Sequence, residues 1–371
     1  MRSVFIVTGC VLSGALALVL AGAVYLFGVK HYHYIAVRPI FHFEFVRAYL
    51  FDQKFRRLVE LMDEEQSLYD DVFASVMDTS EGALLSRKLF HPVEMYGVQK
   101  YMYNPGLRKL SFTIVVDGYL RFFSMVDTPA LRREILDLHP ANTYAATYDR
   151  FGFRRVDPEL TEDCSVRVMF LGDSFTDGVY MDDRDTSVNR YGHLVRERGH
   201  VAACPTNTGV NGYGSLEEAY VLEHYYEAVG RPRVAVVMHF PNDVDEDENK
   251  VIDATLTDPS RKWAEDFSYL RRITEFSRQH GVTAVLVAIP LARQSANPST
   301  RKNYQDILRR FCEQEGIRFI DLLDSLSRYD VHDIYIEDNP HWTIRGHEVV
   351  AEVLYEQTKD LLAAAATGSP R

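Results

Sequence analysis

The segment VRVMFLGDSFTDG, residues 166–178, contains the pattern that decides the fold. Its mostly apolar first half is long enough for one buried strand, and Gly172, Asp173 and Ser174 after it are typical of a turn that starts a helix. Similar short apolar runs recur at residues 201–207, 234–240, 282–289 and 317–320. The chain from residue 166 onward therefore has five candidate strands.

Helical spacing of apolar residues separates these strands. The helical segments are residues 187–197, 216–228, 264–279 and 300–315, and a fifth, residues 343–362, follows the last strand. Strands that alternate with helices of about 10 to 15 residues form parallel sheets, because parallel neighbours need a crossover connection. We predict an α/β fold of three layers, in which helices cover both faces of a doubly wound, five-stranded parallel sheet, as in flavodoxin-like folds.

Ligands bind such sheets at the carboxyl ends of the strands, so the residues after each strand are candidate site residues. Ser174 follows the first strand, where its hydroxyl is at the sheet edge and nearby backbone N–H groups are unpaired, which suits a nucleophile beside an oxyanion site. No glycine stands two residues after Ser174, so this is not a Gly-x-Ser-x-Gly elbow. An ordinary turn with a helix cap is the alternative.

Three later blocks also contain residues suited to acyl chemistry. The glycine-rich loop at residues 207–214 contains Gly212, and its backbone is able to approach a ligand closely. Asn242 follows the third strand, where its amide could donate to an oxyanion. Asp338 stands three residues before His341 and is able to hold one imidazole tautomer from within one loop. Each block taken singly is equally consistent with a turn or a solvated loop.

Together and in this order, the four blocks resemble the SGNH or GDSL-type hydrolase family. The matching residues are Ser174 in Gly-Asp-Ser, Gly212, Asn242, and Asp338 with His341. Residues 150–154 and 341–347 are similar to the membrane-attached bacterial branch of that family. The resemblance covers about residues 148–358. Phe240 stands where the family usually has glycine, which predicts a narrower or more apolar mouth of the site.

The resemblance implies acyl transfer through a covalent ester. His341 would take the proton of Ser174 as the serine attacks an ester carbonyl, and Asp338 would orient the imidazole. The backbone N–H groups of Ser174 and Gly212 and the side chain of Asn242 would bind the oxyanion. Three functions are compatible with this: a membrane-anchored esterase acting on O-acyl groups of lipids or envelope glycans, an O-acyltransferase that modifies a polysaccharide, and a catalytically silent binding module.

Composition and motifs argue against several other classes. Forty-one Lys and Arg against 53 Asp and Glu give a net charge of −12, which opposes binding to nucleic acid. The sequence contains no cluster of Cys and His at zinc spacing and no phosphate-binding Gly-Lys-Ser loop. Residues 243–254 are acidic but lack the glycine and the final glutamate of a calcium loop. We therefore expect neither a metal ion nor a cofactor.

The N-terminus has the composition of a membrane segment. No residue from 4 to 29 is charged, and a helix of that length, about 39 Å, exceeds the ~30 Å hydrocarbon core of a bilayer. We predict a transmembrane signal-anchor at residues 1–30, with a cleaved signal peptide as the alternative because residues 21–23 resemble a cleavage site. The family resemblance implies a single-pass protein of the bacterial inner membrane whose catalytic domain is periplasmic or otherwise extracytoplasmic.

The rest of the chain is predicted to contain a helical or mixed region, the hydrolase domain and a disordered tail, at residues 31–160, 161–362 and 363–371. Within the first region, residues 41–66 predict an amphipathic helix, residues 110–116 a strand and residues 128–138 a short helix. Cys164 and Cys204 would lie near the ends of adjacent strands, so a disulfide bond and two buried free thiols are both compatible with the sequence.

Overall fold

The structure is a computed structural model that describes residues 89–367, apart from seven short gaps, together with residues 53, 56 and 57. The gaps are residues 117–118, 138–139, 200, 246–250, 253–260, 298–302 and 338. The chain divides into two compact units, one of Met1–Phe90 with Val115–Tyr119 and one of His91–Ile114 with Leu120–Arg371. The second unit contains the candidate site.

The described chain begins with two small β-sheets. The first is a hairpin of β1 (Phe90–Met95) and β2 (Val98–Tyr103), joined by a two-residue turn. The second sheet has the order β4-β3-β5, and its strands are β3 (Arg108–Val116), β4 (Tyr119–Val126) and β5 (Asn142–Thr147). β3 and β5 are antiparallel. A single helix, α1 (Pro129–Asp137), lies between β4 and β5 in sequence.

Residues 31–160 were predicted to be a helical or mixed region, and in their described part five strands accompany α1 and one short 3₁₀ segment. The predicted strand at residues 110–116 and helix at residues 128–138 are confirmed, and Thr128 Oγ1 accepts a hydrogen bond from Leu131 N at 3.2 Å. β1 and β2 were missed because they mix charged and apolar residues without strict alternation, and strand pairing depends on partners elsewhere in the chain. Of the predicted helix at residues 41–66, the structure describes residues 53, 56 and 57, which are helical.

The central sheet has five parallel strands in the order β10-β9-β8-β6-β7. The strands are β6 (Val166–Gly172), β7 (Ala203–Asn207), β8 (Val234–His239), β9 (Thr283–Ala288) and β10 (Arg318–Asp321). Each predicted strand is confirmed to within two residues at either end. β6 pairs with β7 on one side and β8 on the other, so the connections run in opposite directions from β6. The carboxyl ends of β6 and β8 form the switch point where ligands bind in such sheets.

Helices cover this sheet and connect its strands. They are α2 (Ser174–Asp177), α3 (Ser187–Arg198), α4 (Ser215–Tyr225), α5 (Arg261–His280), α6 (Ala292–Ala296), α7 (Asn303–Glu315), α8 (Leu323–Leu326), α9 (Val331–Ile334) and α10 (Ile344–Thr367). α3 packs on α10, whereas α4 packs on α5. β6, β8 and β9 are almost entirely buried between these helices, which explains their nearly continuous apolar sequences.

The C-terminal helix is longer than predicted. α10 continues to Thr367, so the prediction of a disordered tail at residues 363–371 is wrong for residues 363–367. Four consecutive alanines occupy residues 363–366, and alanine has the highest intrinsic helix propensity, which favours continuation of α10 beyond its packed part. Residues 368–371 lie outside the described residues.

The two cysteines whose state the sequence left open form a disulfide bond. Cys164 and Cys204 are bridged, with their Cα atoms 5.5 Å apart. Pairing of β6 with β7 brings them together, because Arg167 lies opposite Cys204 in the register of the two strands. Cys312 is a buried free thiol.

The predicted membrane anchor at residues 1–30 lies outside the described residues. Among the helices that the structure describes, none combines the length and the apolar composition needed to cross a bilayer. The anchor therefore stays a prediction from the sequence.

Candidate active site

Ser174 lies at the switch point of the central sheet, as the first residue of α2 after the end of β6. Asp173 caps this short helix, because its side chain accepts a hydrogen bond from Phe175 N at 2.8 Å. A Cβ atom at Gly172 would lie 2.1 Å from Thr176 Oγ1, so only glycine allows the chain to turn back this closely. Ser174 is 6% exposed, and its hydroxyl is therefore held mainly by protein groups.

His341 is the hydrogen-bond partner of Ser174. Its Nε2 lies 2.7 Å from Ser174 Oγ, so the predicted proximity of these two residues is confirmed. Its Nδ1 lies 2.6 Å from Asn339 Oδ1, an amide oxygen that accepts but does not donate. These partners assign the proton to Nδ1 and leave Nε2 free to accept the hydroxyl proton of Ser174. This is the tautomer that a general base requires.

Asn339 was not among the residues that the sequence analysis selected. Its Oδ1 also accepts a hydrogen bond from His341 N at 3.0 Å, so one side chain holds both the backbone and the ring of the histidine. The only signal in the sequence is the Asn-Pro pair before His341, which is typical of a turn. The predicted partner Asp338 lies outside the described residues, and its role stays a prediction.

The loop after β7 packs directly on the serine turn. Val210 N donates a hydrogen bond to Gly172 O at 3.2 Å. A Cβ atom at Gly209 would lie 2.3 Å from Asp177 N, so the two backbones are in close contact there. The glycine-rich block that the sequence indicated is therefore brought to the turn that carries Ser174.

The other two predicted oxyanion residues lie at the ends of the strands that flank β6. Gly212 has a φ of 78°, a conformation that favours glycine, and the adjacent carbonyl of Asn211 accepts a hydrogen bond from Tyr101 Oη at 2.7 Å. Asn242 lies in a 3₁₀ turn after β8, and its buried Oδ1 has no hydrogen-bond partner in the described part of the chain. The oxyanion roles of Ser174, Gly212 and Asn242 stay predictions.

Phe240, for which the sequence predicted a narrower or more apolar mouth of the site, is buried against the serine turn. It is 2% exposed, and its ring lies 4.5 Å from the ring of Phe175. Phe175 in turn contacts the rings of His341 and Trp342, at 5.0 and 4.8 Å. Phe240 therefore fills the core next to the serine turn, because burying an aromatic ring there removes a large apolar surface from water.

Two other buried histidines have partners away from Ser174. His347, on α10, accepts a hydrogen bond from Ser187 N at its Nδ1, at 3.1 Å, and burial lowers its pKa to about 3. His239, at the end of β8, lies 2.9 Å from Tyr304 Oη and 3.3 Å from Asp266 Oδ2. Among the described residues, His341 is thus the histidine that bonds Ser174, as the sequence predicted.

The His341 imidazole is less basic than a free histidine. Burial lowers its pKa to about 4, the carboxylate of Asp177 opposes this shift, and the ammonium of Lys109 adds to it. The neutral imidazole, which is the form able to accept a proton from Ser174, therefore persists to lower pH than in a free histidine.

A buried ion pair beside this site was also not predicted. Lys109 Nζ, on β3, lies 3.1 Å from Asp177 Oδ2, and the two side chains are 4% and 0% exposed. Burial lowers the pKa of Lys109, and the negative charge of Asp177 opposes that shift. Nothing in the local sequence of β3 distinguishes Lys109 from a solvated lysine, because its burial depends on residues far away in the chain.

Several carboxyl groups are buried near the ends of the catalytic strands. Burial raises the pKa of Glu218 and of Asp243 well above the usual range, and the carboxylates of Asp173 and Asp266 add to both shifts. Neither carboxyl oxygen of Glu218 has a hydrogen-bond partner within the described residues. Glu218 is therefore the group that we expect to carry a proton at neutral pH.

One set of side chains has the spacing of metal ligands. Ligand atoms of Asp157, Glu159 and His193 all lie within 4.8 Å of one another, and His193 Nε2 is 2.7 Å from Asp157 Oδ2. Glu159 is exposed, and these residues lie on elements other than those of Ser174 and His341.

Comparison with known families assigns the class of this domain. Residues 170–349 match the GDSL-like Lipase/Acylhydrolase family, a range that contains Ser174, Gly212, Asn242 and His341. The match covers slightly less than half of the chain and indicates a serine ester hydrolase. No curated protein sequence matches the chain.

Several solved structures are similar to part of this chain at low sequence identity. TesA is 16% identical with a TM-score of 0.42, and the alignment covers 53% of this chain and 99% of that chain. The acetylxylan esterase Axe2 from Geobacillus stearothermophilus is 16% identical with a TM-score of 0.40, over 53% and 95% of the two chains. The psychrotrophic esterase EstA from Pseudoalteromonas sp. is 14% identical with a TM-score of 0.41, over 53% and 98%.

The lowered pKa of His341 determines the expected pH dependence of ester hydrolysis. A base is active when deprotonated, so the acid limb of kcat/KM should have its midpoint below the ~6.5 of an unperturbed histidine. Initial rates on p-nitrophenyl acetate between pH 4 and pH 8 measure this limb, and recovery of activity at pH 7 separates titration from unfolding. A midpoint at or above ~6.5 would contradict the assignment.

The raised pKa of Glu218 predicts a dependence of stability on pH. Above the usual glutamate pKa of ~4.3 and below the raised pKa, the folded protein keeps a proton that the unfolded chain has released. The free energy of unfolding therefore falls with rising pH, by at most about 1.4 kcal/mol per pH unit for one proton. Glu218→Gln should remove this slope in urea denaturation between pH 6 and pH 9.

The control for Glu218→Gln is Glu197→Gln, at an exposed position of α3. Its free energy of unfolding should follow that of the wild type at every pH. Parallel curves for Glu218→Gln and the wild type would show that Glu218 is ionised in the folded protein.

Proposed function

We propose that this chain is a membrane-anchored serine esterase that hydrolyses carboxylic (O-acyl) esters of lipids or envelope glycans. The single observation that supports this most strongly is the 2.7 Å hydrogen bond between Ser174 Oγ and His341 Nε2. It lies at the carboxyl end of β6, where the connections of the sheet change direction. A serine hydroxyl and a neutral imidazole at this distance suit acyl transfer through a covalent intermediate.

In the acylation step, Ser174 Oγ attacks the ester carbonyl carbon while its proton moves to His341 Nε2. The carbonyl oxygen becomes an oxyanion, and we assign its binding to the backbone N–H groups of Ser174 and Gly212 and to the side chain of Asn242. Each such donor lowers the barrier by roughly 3 kcal/mol. Collapse of the intermediate breaks the bond to the alcohol, which leaves with the proton from His341.

In the deacylation step, His341 takes a proton from a water molecule that attacks the acyl-serine carbonyl, and then returns it to Ser174. The Asn339 amide holds Nδ1–H in both steps but carries no charge. A carboxylate would stabilise the imidazolium more strongly, and we assign this part to Asp338. Asn339 and Asp338 would thus divide two tasks, the first orienting the ring and the second stabilising its positive charge.

Substitution of the proposed nucleophile or base should abolish the activity. Ser174→Ala and His341→Ala should each lower kcat on p-nitrophenyl acetate by on the order of 10³-fold or more, because proton transfer and covalent catalysis fail together. The matched control is Ser187→Ala, which removes a serine at the first position of another helix, α3. His347→Ala should mainly lower the Tm.

Wild-type hydrolysis rates in a folded Ser174→Ala variant would remove Ser174 from the mechanism. A series of p-nitrophenyl esters from acetate to palmitate would separate short acyl groups from lipid chains. Transfer of the acyl group to an added glycan faster than to water would assign the chain to the acyltransferases instead.

We also propose that the hydrolase domain is anchored in the bacterial inner membrane and lies outside the cytoplasm. The uncharged segment at residues 4–29 supports the anchor, since it is long enough for a bilayer. The disulfide between Cys164 and Cys204 supports the location, because such bonds persist in oxidising compartments.

Protease accessibility tests this topology. In bacterial cells expressing the full chain, protease added to intact spheroplasts should digest the hydrolase domain, while a cytoplasmic marker protein stays intact. The protein should also remain in the membrane fraction after a carbonate wash. Protection of the domain would contradict the topology, and a mature N-terminus after residue 23 would show a cleaved signal peptide instead.

A further inference from the structure

The carboxylate of Asp177 lies in a buried polar cluster formed mostly by the small N-terminal sheets. Its Oδ2 accepts hydrogen bonds from Lys109 Nζ at 3.1 Å and from Tyr103 Oη at 3.2 Å. Its Oδ1 accepts a hydrogen bond from Tyr148 Oη at 3.0 Å. Tyr103 ends β2, Lys109 lies in β3, and Tyr148 follows β5, so three separate segments meet at one carboxylate of the hydrolase domain.

Lys109 is the charged member of these three donors. Its Nζ lies 4.6 and 5.3 Å from the ring centroids of Tyr103 and Tyr148, and it also donates a hydrogen bond to Tyr103 Oη at 3.1 Å. The two aromatic faces and the carboxylate thus stabilise the ammonium of Lys109, which is buried away from water. Lys109 is 4% exposed. Lysines are rarely so deeply buried unless an opposite charge pairs with them, as Asp177 does here.

Asp177 is closely linked to Ser174, the proposed nucleophile. It is the last residue of α2, the one-turn helix that Ser174 begins, and its backbone N donates to Asp173 O at 2.9 Å. Arg154 Nη1 donates to the carbonyl oxygens of Asp177 and Gly178, at 2.9 and 2.7 Å. The turn is therefore held at its backbone by Arg154 and at its side chain by Lys109.

The same ion pair acts electrostatically on the base. Among the residues that the structure describes, the charged and titratable groups that act on His341 are Asp177 of the serine turn, Lys109 of β3 and His347 of α10. Asp177 favours the protonated imidazole, whereas Lys109 opposes it. Loss of either partner would leave the other charge buried and unbalanced beside the site.

We infer that Lys109 is a positioning residue for ester hydrolysis, because its buried ammonium fixes Asp177, and with it the serine turn, and balances the negative charge that acts on His341. This inference rests on the proposed function. It also means that β2, β3 and the segment after β5 belong to the catalytic unit, although the family match covers only residues 170–349.

Four variants of the full chain test the inference: Lys109→Met, Lys109→Arg, Asp177→Asn and the double variant Lys109→Met/Asp177→Asn. Lys109→Met should lower kcat on p-nitrophenyl acetate by about 10-fold to 100-fold, because the nucleophile loses its position. KM should change by less than about twofold, since Lys109 does not reach the substrate. The control is Arg132→Met, which breaks the ion pair with Asp127 in the same N-terminal region.

The acid limb of kcat/KM distinguishes a positioning role from a purely structural one. Lys109→Met should move the limb to higher pH, because the positive charge that opposes the effect of Asp177 on the pKa of His341 is then lost. Asp177→Asn should move the limb to lower pH, because the carboxylate that raises the pKa of His341 is then lost. The double variant should return it towards the wild type, and Lys109→Arg, which keeps the charge, should leave it in place. A structural defect alone would lower the rate without these opposite displacements.

Circular dichroism and the Tm show which variants are folded. Unchanged kcat and an unchanged acid limb in folded Lys109→Met would overturn the inference. If Lys109→Met does not fold, Asp177→Asn and the double variant decide it, and identical acid limbs in these two would also overturn it. Absence of Ser174-dependent hydrolysis in the wild type would instead show that the proposed function itself is wrong, whatever the Lys109 variants do.

Discussion

The parallel pairing of β6 with β7 on one side and β8 on the other is the constraint on which the site depends. Parallel strands start at the same edge of a sheet and end at the same edge, so the three segments that follow these strands meet. Ser174, Gly212 and Asn242 come from these segments, although up to 68 residues separate them in sequence. The strands are buried on both faces, and polar chemistry is therefore confined to their ends.

Burial changes the acid–base chemistry of two titratable groups near this edge, His341 and Glu218. It makes His341 a weaker base than a free histidine, and it raises the pKa of Glu218 so that the neutral acid is favoured. Asp177 is equally buried, but a lysine and two tyrosine hydroxyls satisfy its carboxylate. Desolvation penalises every charge, and only a nearby partner offsets that penalty. The hydrogen-bond donors around a buried acid therefore decide whether its carboxylate is stabilised.

The sequence by itself determined the hydrolase domain and most of its candidate site. Apolar runs separated by helical segments are a local signal, and they located all five strands of the central sheet to within two residues. Ser174 directly follows the end of β6, where ligands bind such sheets, and the resemblance of the block around His341 to a hydrolase family predicted that the two residues pair. Residues 363–367 were predicted to be disordered but are helical. The low complexity of the alanine run indicated a tail, whereas alanine has a strong helix propensity.

Only the tertiary structure decided which residues support that site. Asn339 holds the ring of His341, Lys109 pairs with Asp177, and Cys164 is joined to Cys204. The N-terminal hairpin and sheet likewise escaped prediction, since strands of mixed composition are stabilised by their neighbours rather than by their own pattern. The physical reason is common to all of these. Local sequence reports backbone propensity and apolar periodicity, whereas burial and partnership of a polar side chain depend on segments that are distant in the chain and adjacent only after folding.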